Sequence, residues 1–175
     1  DMKLADTLEY VTNYDIWVGW RKCYCGVFNA EYDGVTYYFI DNEQYFRRPG
    51  LYGYDDDNER FAYFDFAVLE LLSHIDIKPD ILHLHDWQTA MIATLYKERY
   101  AYYEYYQGIK IVFTIHNIAY QGKCDPALLS DHFGLDNYLY YNGNCRNDGC
   151  FNMMKAAIYY SDIIGKCKQI FWISF

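Results

Sequence analysis

Basic clusters are missing from this sequence. Lys and Arg total 15 against 24 Asp and Glu, and no cationic run is longer than the pair Arg47-Arg48. At a net charge of −9, nucleic acid is not an expected partner. A local pocket on an acidic chain can still be positive, so an anionic small molecule stays open. Proline is scarce, at three residues, and no repeat or low-complexity linker divides the 175 residues into two domains. No apolar run approaches the ~20 residues of a membrane span, and the acidic start is no signal peptide, so no membrane partner is expected. The six cysteines (Cys23, Cys25, Cys124, Cys145, Cys150, Cys167) form no CxxC pair. They read as reduced thiols of a cytoplasmic protein. The competing use is a zinc site built from Cys145, Cys150 and a distant His.

What is present is a core. Hydrophobic residues make up 53 % of the chain, which excludes disorder, and tyrosine stands out at 22 residues. Compositional bias is the plain reading of the tyrosines; half-buried surfaces and sugar contacts are the functional one. Asp1 to Tyr14 carries no clear start signal, and a chain that opens in mid-pattern reads as a fragment. Ile16–Trp20 and Cys23–Phe28 alternate loosely as short strands. Glu31 to Gly34 supplies a turn, and Val35–Ile40 a further strand, so a hairpin is expected. The polar, aromatic loop from Asp41 to Asn58 offers Arg47 and Arg48 to an anion and Tyr52 and Tyr54 to a ring; a solvated loop is the plainer reading. Asp57 or Asn58 would cap a helix whose core face is Phe61, Phe64, Val68, Leu71, Leu72 and Ile75. Downstream, Asp125-Pro126 starts a helix that Gly134 can end. A loop at 138–149 and a helix from Asn152 to about Ile164 follow, then the apolar segment GKCKQIFWISF with no assigned partner.

The stretch from Pro79 to Gly122 organises the rest. Ile81–Leu84 and Ile109–Ile115 are short runs of β-formers that read as buried strands. Between them, Met91, Ile92, Leu95, Tyr96, Tyr102 and Tyr103 suggest a one-sided helix. Strand, helix, strand at this length is a βαβ unit with parallel strands, so the fold class is α/β. His85-Asp86 and His116-Asn117 then emerge at one sheet edge, where open α/β sheets bind ligands. A carboxylate, imidazoles and an amide, with Trp87 and Tyr120 beside them, suit a polyhydroxylated ligand. Metal hydrolysis through His83, His85, Asp86 and His116 is the rival chemistry. His83 itself reads as a core histidine bonded to the neighbouring strand.

Several motifs in order also carry a family resemblance. HDW, FTIHNIAYQG, FNMMKAAIYYSD and the upstream VTYYFIDNEQYFRRPGLYG with DDDNERFAYFDFAVLELL resemble the ADP-glucose-dependent glycogen and starch synthases, over about Trp17 to Ile164. The resemblance implies a Rossmann-like parallel sheet with flanking helices, an incomplete N-terminal half of a GT-B fold. It implies retaining transfer of glucose from ADP-glucose to an α-1,4-glucan, with no metal or cofactor. Asp86 and His116 match catalytic positions; Tyr54 (or Tyr52), His85, Trp87, Asn117 and Gln121 match the substrate cleft. The family's opening strand, its Lys-x-Gly-Gly-Leu loop and its C-terminal domain have no counterpart here, and the segment after Ile164 diverges. The expectation is a synthase fragment, 1–175, inactive alone and prone to expose apolar surface. A stand-alone glucan-binding module is the alternative.

Overall fold

A computed structural model describes residues 7–166. The chain opens with an antiparallel meander, β1 (Glu9–Val18), β2 (Arg21–Tyr32) and β3 (Val35–Asp41), hydrogen-bonded in that order. Alternation drives it: Tyr14, Ile16 and Val18 are buried while Asp15 and Trp17 between them face solvent. The β2–β3 turn places Asp33 and Gly34 at φ 52° and 75°, the left-handed geometry that a two-residue hairpin loop requires. The expected hairpin is therefore present. The strand before it is longer than expected, running back into the stretch that shows no start signal.

Asn42 caps α1 (Glu43–Phe46), its side-chain oxygen accepting from the Tyr45 N–H at 3.1 Å. The loop that follows leads into α2 (Asp57–His74), and paired charges hold it. Arg47 pairs with Glu43, Arg48 with Asp56, and the buried Arg60 donates to the Tyr45 and Leu51 carbonyls. The two arginines offered above to an anion are thus neutralised within the loop. The residue at the N-cap position of α2 is Asp56, whose side chain makes no capping hydrogen bond and pairs with Arg48; Asp57 turns back to accept from the Gly53 and Tyr54 N–H groups at 2.6 and 3.1 Å. The deepest residues of α2 include Ala62, Tyr63, Phe66 and Leu69, while Phe61, Phe64, Val68 and Ile75 are only half-buried. The reason is that α2 lies between β1 and α3 (Ala90–Leu95), covered on two sides.

β4 (Ile81–His85) and β5 (Lys110–Ile115) pair in parallel, Ile81 opposite Lys110 and His85 opposite Thr114. The crossover between them is a 3₁₀ turn (Trp87–Thr89), α3 and a π turn (Tyr96–Tyr100), closed by the Ala101 N–H on the Tyr96 carbonyl at 2.8 Å. Ala90 to Tyr96 is buried on every side, not one, because this segment packs between α2 and the helix Met153–Tyr160. Tyr102 and Tyr103 lie past its end in solvent.

A second antiparallel sheet follows: β6 (Lys123–Cys124), β7 (Arg146–Asn147) and β8 (Cys150–Asn152), in the order β6-β8-β7. Between β6 and β7 sit two single-turn helices, α4 (Leu128–Asp131) and α5 (Tyr138–Tyr141), so part of the expected 138–149 loop is regular. Asp125 accepts from the Ala127 N–H at 2.8 Å and starts the first of these. Asn152 caps α6 (Met153–Tyr160) through the Lys155 N–H. This helix does not reach Ile164. Ser161 is extended, and Ile163–Lys166 forms β9, parallel to β5. Asp162 fastens the junction by accepting from the Ile111 N–H at 2.8 Å and pairing with Lys97 and Lys110. The segment 167–175 lies outside the described residues.

The parallel sheet has the order β4-β5-β9. Leu84, Ile111, Phe113 and Ile115 are buried toward the helices. The opposite face carries Ile81, His83, His85, Val112, Thr114 and Ile163, with Ile81 57 % and Ile163 61 % exposed. Parallel sheets are ordinarily covered on both faces. Here the strands expected to be buried are buried on one side only.

Candidate functional site

The carboxyl ends of β4 and β5 place His85-Asp86 beside His116-Asn117, as the βαβ pattern requires. Asp86 joins them. Its Oδ1 accepts from the His116 N–H at 2.7 Å and the Asn117 N–H at 3.1 Å. To do so it adopts φ 59°, ψ −175°, a region that is nearly glycine-only and costs about 1–3 kcal/mol. The two backbone bonds offset that strain. Thr89 fixes the preceding residue, its hydroxyl accepting from the His85 N–H at 2.8 Å and donating to the His85 carbonyl at 2.9 Å.

Three histidines line up along the open sheet face with their rings tilted to one another. His83 and His85 have ring centroids 4.2 Å apart, and His85 and His116 5.2 Å. His85 Nδ1 lies 3.0 Å from His116 Nε2, and His83 Nε2 lies 2.8 Å from Thr114 Oγ1. His83 does bond the neighbouring strand, but it is exposed and is not a core residue. Burial, and then the neighbouring His83 and His116, push the His85 imidazole below its ordinary pKa. These contacts engage one ring nitrogen of each histidine, in pairing with each other or with Thr114. Among the described residues, no group of three or more His, Cys, Asp or Glu could hold a metal ion.

Two adjoining cavities open beside this edge. The first, about 350 Å³, is lined by Tyr52, Gly53, Asp57, Asp86, Trp87, Gln88, Asn117 and Tyr120. The second, about 450 Å³, shares Asp57, Trp87 and Tyr120 and adds the 118–123 turn. Trp87 borders both, edge-on to Phe61 with centroids 5.0 Å apart. Gly122 is obligatory behind it: a Cβ there would come within 2.7 Å of the indole, at φ 64°. Asn117 lines the first cavity while its Oδ1 accepts from the Ala119 N–H. Gln121 borders the second, but its amide is engaged, donating to the Ile118 carbonyl and accepting from the buried Asn152 at 2.8 Å.

Of the two loop tyrosines, Tyr52 lines the first cavity. Tyr54 does not line it; its hydroxyl accepts from the Gly50 N–H at 2.9 Å, and Arg48 and Arg60 stack on its ring. Sequence reasoning missed Asp57, Gln88 and Lys123. Gln88 follows HDW directly and is recoverable from position, whereas Asp57 resembles an ordinary helix cap. Among the described lining residues of both cavities, Lys123 is the one basic side chain. The five described cysteines are free thiols. No helix among the described residues is long and apolar enough to cross a membrane.

Comparison with known proteins gives the family. The profile described as starch synthase catalytic domain matches residues 2–169. The glycogen synthase of Clostridium kluyveri is 50 % identical over 166 residues, covering 95 % of this chain and 35 % of the relative. That of Streptococcus agalactiae serotype Ia is 50 % identical over 162 residues, covering 93 % and 34 %. The catalytic domain of starch synthase IV from Arabidopsis thaliana, bound to ADP and acarbose, superposes with a TM-score of 0.80 at 33 % identity, over 90 % of this chain and 33 % of that one. The chain thus spans about a third of the length of the relatives it matches. Its mixed α/β fold is part of that GT-B catalytic domain. The chain belongs to the starch synthase catalytic-domain family of glycosyltransferases, with which the glycogen synthases are grouped.

Proposed function

We propose that this chain forms one wall of the cleft in which glucose passes from ADP-glucose to the non-reducing end of an α-1,4-glucan with retention. One observation carries the reading: Asp86, Trp87, Asn117 and Tyr120 meet Tyr52 around a single cleft at the carboxyl edge of the parallel sheet. The complex of the Arabidopsis neighbour with ADP and acarbose supports a nucleotide-linked donor paired with a glucan. In the reaction, the bond from glucose C1 to the ADP oxygen breaks. The new bond forms on the same sugar face, and the departing phosphate takes the proton of the attacking hydroxyl. No protein nucleophile is needed, unlike the two-carboxylate glycosidases.

The residues then act by position and charge. His116 faces the donor sugar, with its main chain held by Asp86; Asn117 meets hydroxyls, and Trp87 and Tyr52 offer ring faces to the glucan. Gln121 supports the turn that carries Tyr120. The diphosphate calls for cations; among the described lining residues only Lys123 is basic, and it pairs with Asp148, so no transfer is expected of the 175-residue chain by itself. Free thiols agree with a cytoplasmic location.

The test is titration of the chain with maltotetraose, together with a transfer assay using ADP-glucose. We expect saturable sugar binding, weakened about tenfold by Tyr52→Ala, which is about 1.4 kcal/mol, and no transfer. Sugar binding that is absent, or indifferent to both Tyr52→Ala and Asn117→Ala, would overturn the cleft assignment.

A further inference from the structure

The two histidines at the site are bonded to each other. His85 Nδ1 and His116 Nε2 lie 3.0 Å apart, and neutral imidazoles can share that contact only when one nitrogen carries the proton and the other is bare. We propose that His85 is a positioning residue: it occupies Nε2 of His116, couples the tautomer of His116 to its own, and leaves Nδ1 as the ring nitrogen open to a sugar hydroxyl. Naming the ligand as a sugar rests on the reading above; the tautomer lock does not.

The surroundings of His85 suit this task. Thr89 holds its backbone at both the N–H and the carbonyl. Its ring lies between those of His83 and His116, and His83 is itself anchored on Thr114. Asp86 pins the main chain of His116 while His85 pins the ring, so two consecutive residues of one strand end fix backbone and side chain of the same partner. The titratable groups facing His85 are His83, His116 and Asp86; partial desolvation and then the two neighbouring imidazoles lower its pKa and favour the neutral ring.

The lock has a specific signature. If His85 carries its proton on Nδ1, it donates, and His116 must carry its own on Nδ1. If His116 donates from Nε2, then His85 must be protonated at Nε2. The two tautomers therefore match.

Side-chain ¹⁵N–¹H spectra of the labelled 175-residue chain at about pH 8, where imidazoles are neutral, read this directly, with N-acetylhistidine amide as a free reference. The expected result is matched tautomers, with His116 biased about fivefold from the reference, as one net hydrogen bond allows. His85→Ala should return His116 to the reference, and His85→Asn, whose amide reaches the place of Nδ1, should restore a bias. Mismatched tautomers in the native chain overturn the proposal, as does a His116 population unchanged in His85→Ala. Should the Ala variant not fold, the native pair and the Asn variant decide. Matched tautomers in a chain that binds no maltotetraose would keep the role of His85 and remove only the sugar.

Discussion

A single residue, Asp86, shows how the site is paid for in backbone geometry. Its φ of 59° would relax in glycine, yet glycine has no carboxylate to hold the His116 and Asn117 N–H groups. Asp86→Ala loses both bonds and keeps the strain, whereas Asp86→Gly loses the bonds and releases it. The Gly variant should therefore be the more stable of the two by about 1 kcal/mol, read as a higher urea midpoint. Equal midpoints would show that the backbone there is unstrained. The sequence made Asp86, His116 and Asn117 legible as a polar cluster at a strand edge. It did not show that Asp86 works on main-chain groups, because Asp visits positive φ readily but the extended ψ of −175° that aims its carboxylate there has no sequence signature. Gln121 and Tyr54 teach the same lesson. Each has a side chain of a type that can serve a ligand or its own protein, and only the fold shows that both make intramolecular hydrogen bonds.

Among the elements, the βαβ unit was readable because two β-rich runs flank a helix-length segment, and strand direction then follows from the crossover alone. The inner sides of α2 and α3 were not, since helices apolar on most faces give periodicity little to distinguish. Asp65 sits in that zone, 1 % exposed, with Oδ1 unpartnered. Burial raises its carboxyl well above the usual range, and the Met91 N–H pulls it back only in part. The folded chain thus holds more tightly a proton that the unfolded chain releases above about pH 4, and native stability falls as pH rises from there. Asp65→Asn lacks that proton. Its melting temperature relative to the native chain should climb between about pH 5 and pH 8; a difference independent of pH would mean that Asp65 is ionised in the fold.

At the scale of the whole molecule, the open face of the parallel sheet dominates. Ile81 and Ile163 stand exposed on it, β4 and β9 are edges among the described residues, and the charge of −9 is the main force opposing contact between copies. Light scattering should report self-association that grows with protein concentration and with salt, and that falls when Ile81→Lys and Ile163→Lys are combined. A clean monomer at high salt would show that the open face is not adhesive. The sequence foretold this exposure through family resemblance, not through pattern, because alternation in β4 and β5 cannot say whether a second layer arrives. The same architecture also sets an order of events in time. The meander joins strands that are neighbours in sequence, whereas β5 must wait for the α3 crossover and β9 for everything up to α6. Local pairs close early and distant ones late. On a ribosome, the meander would be finished while the edge that carries His85 and His116 was still half-built.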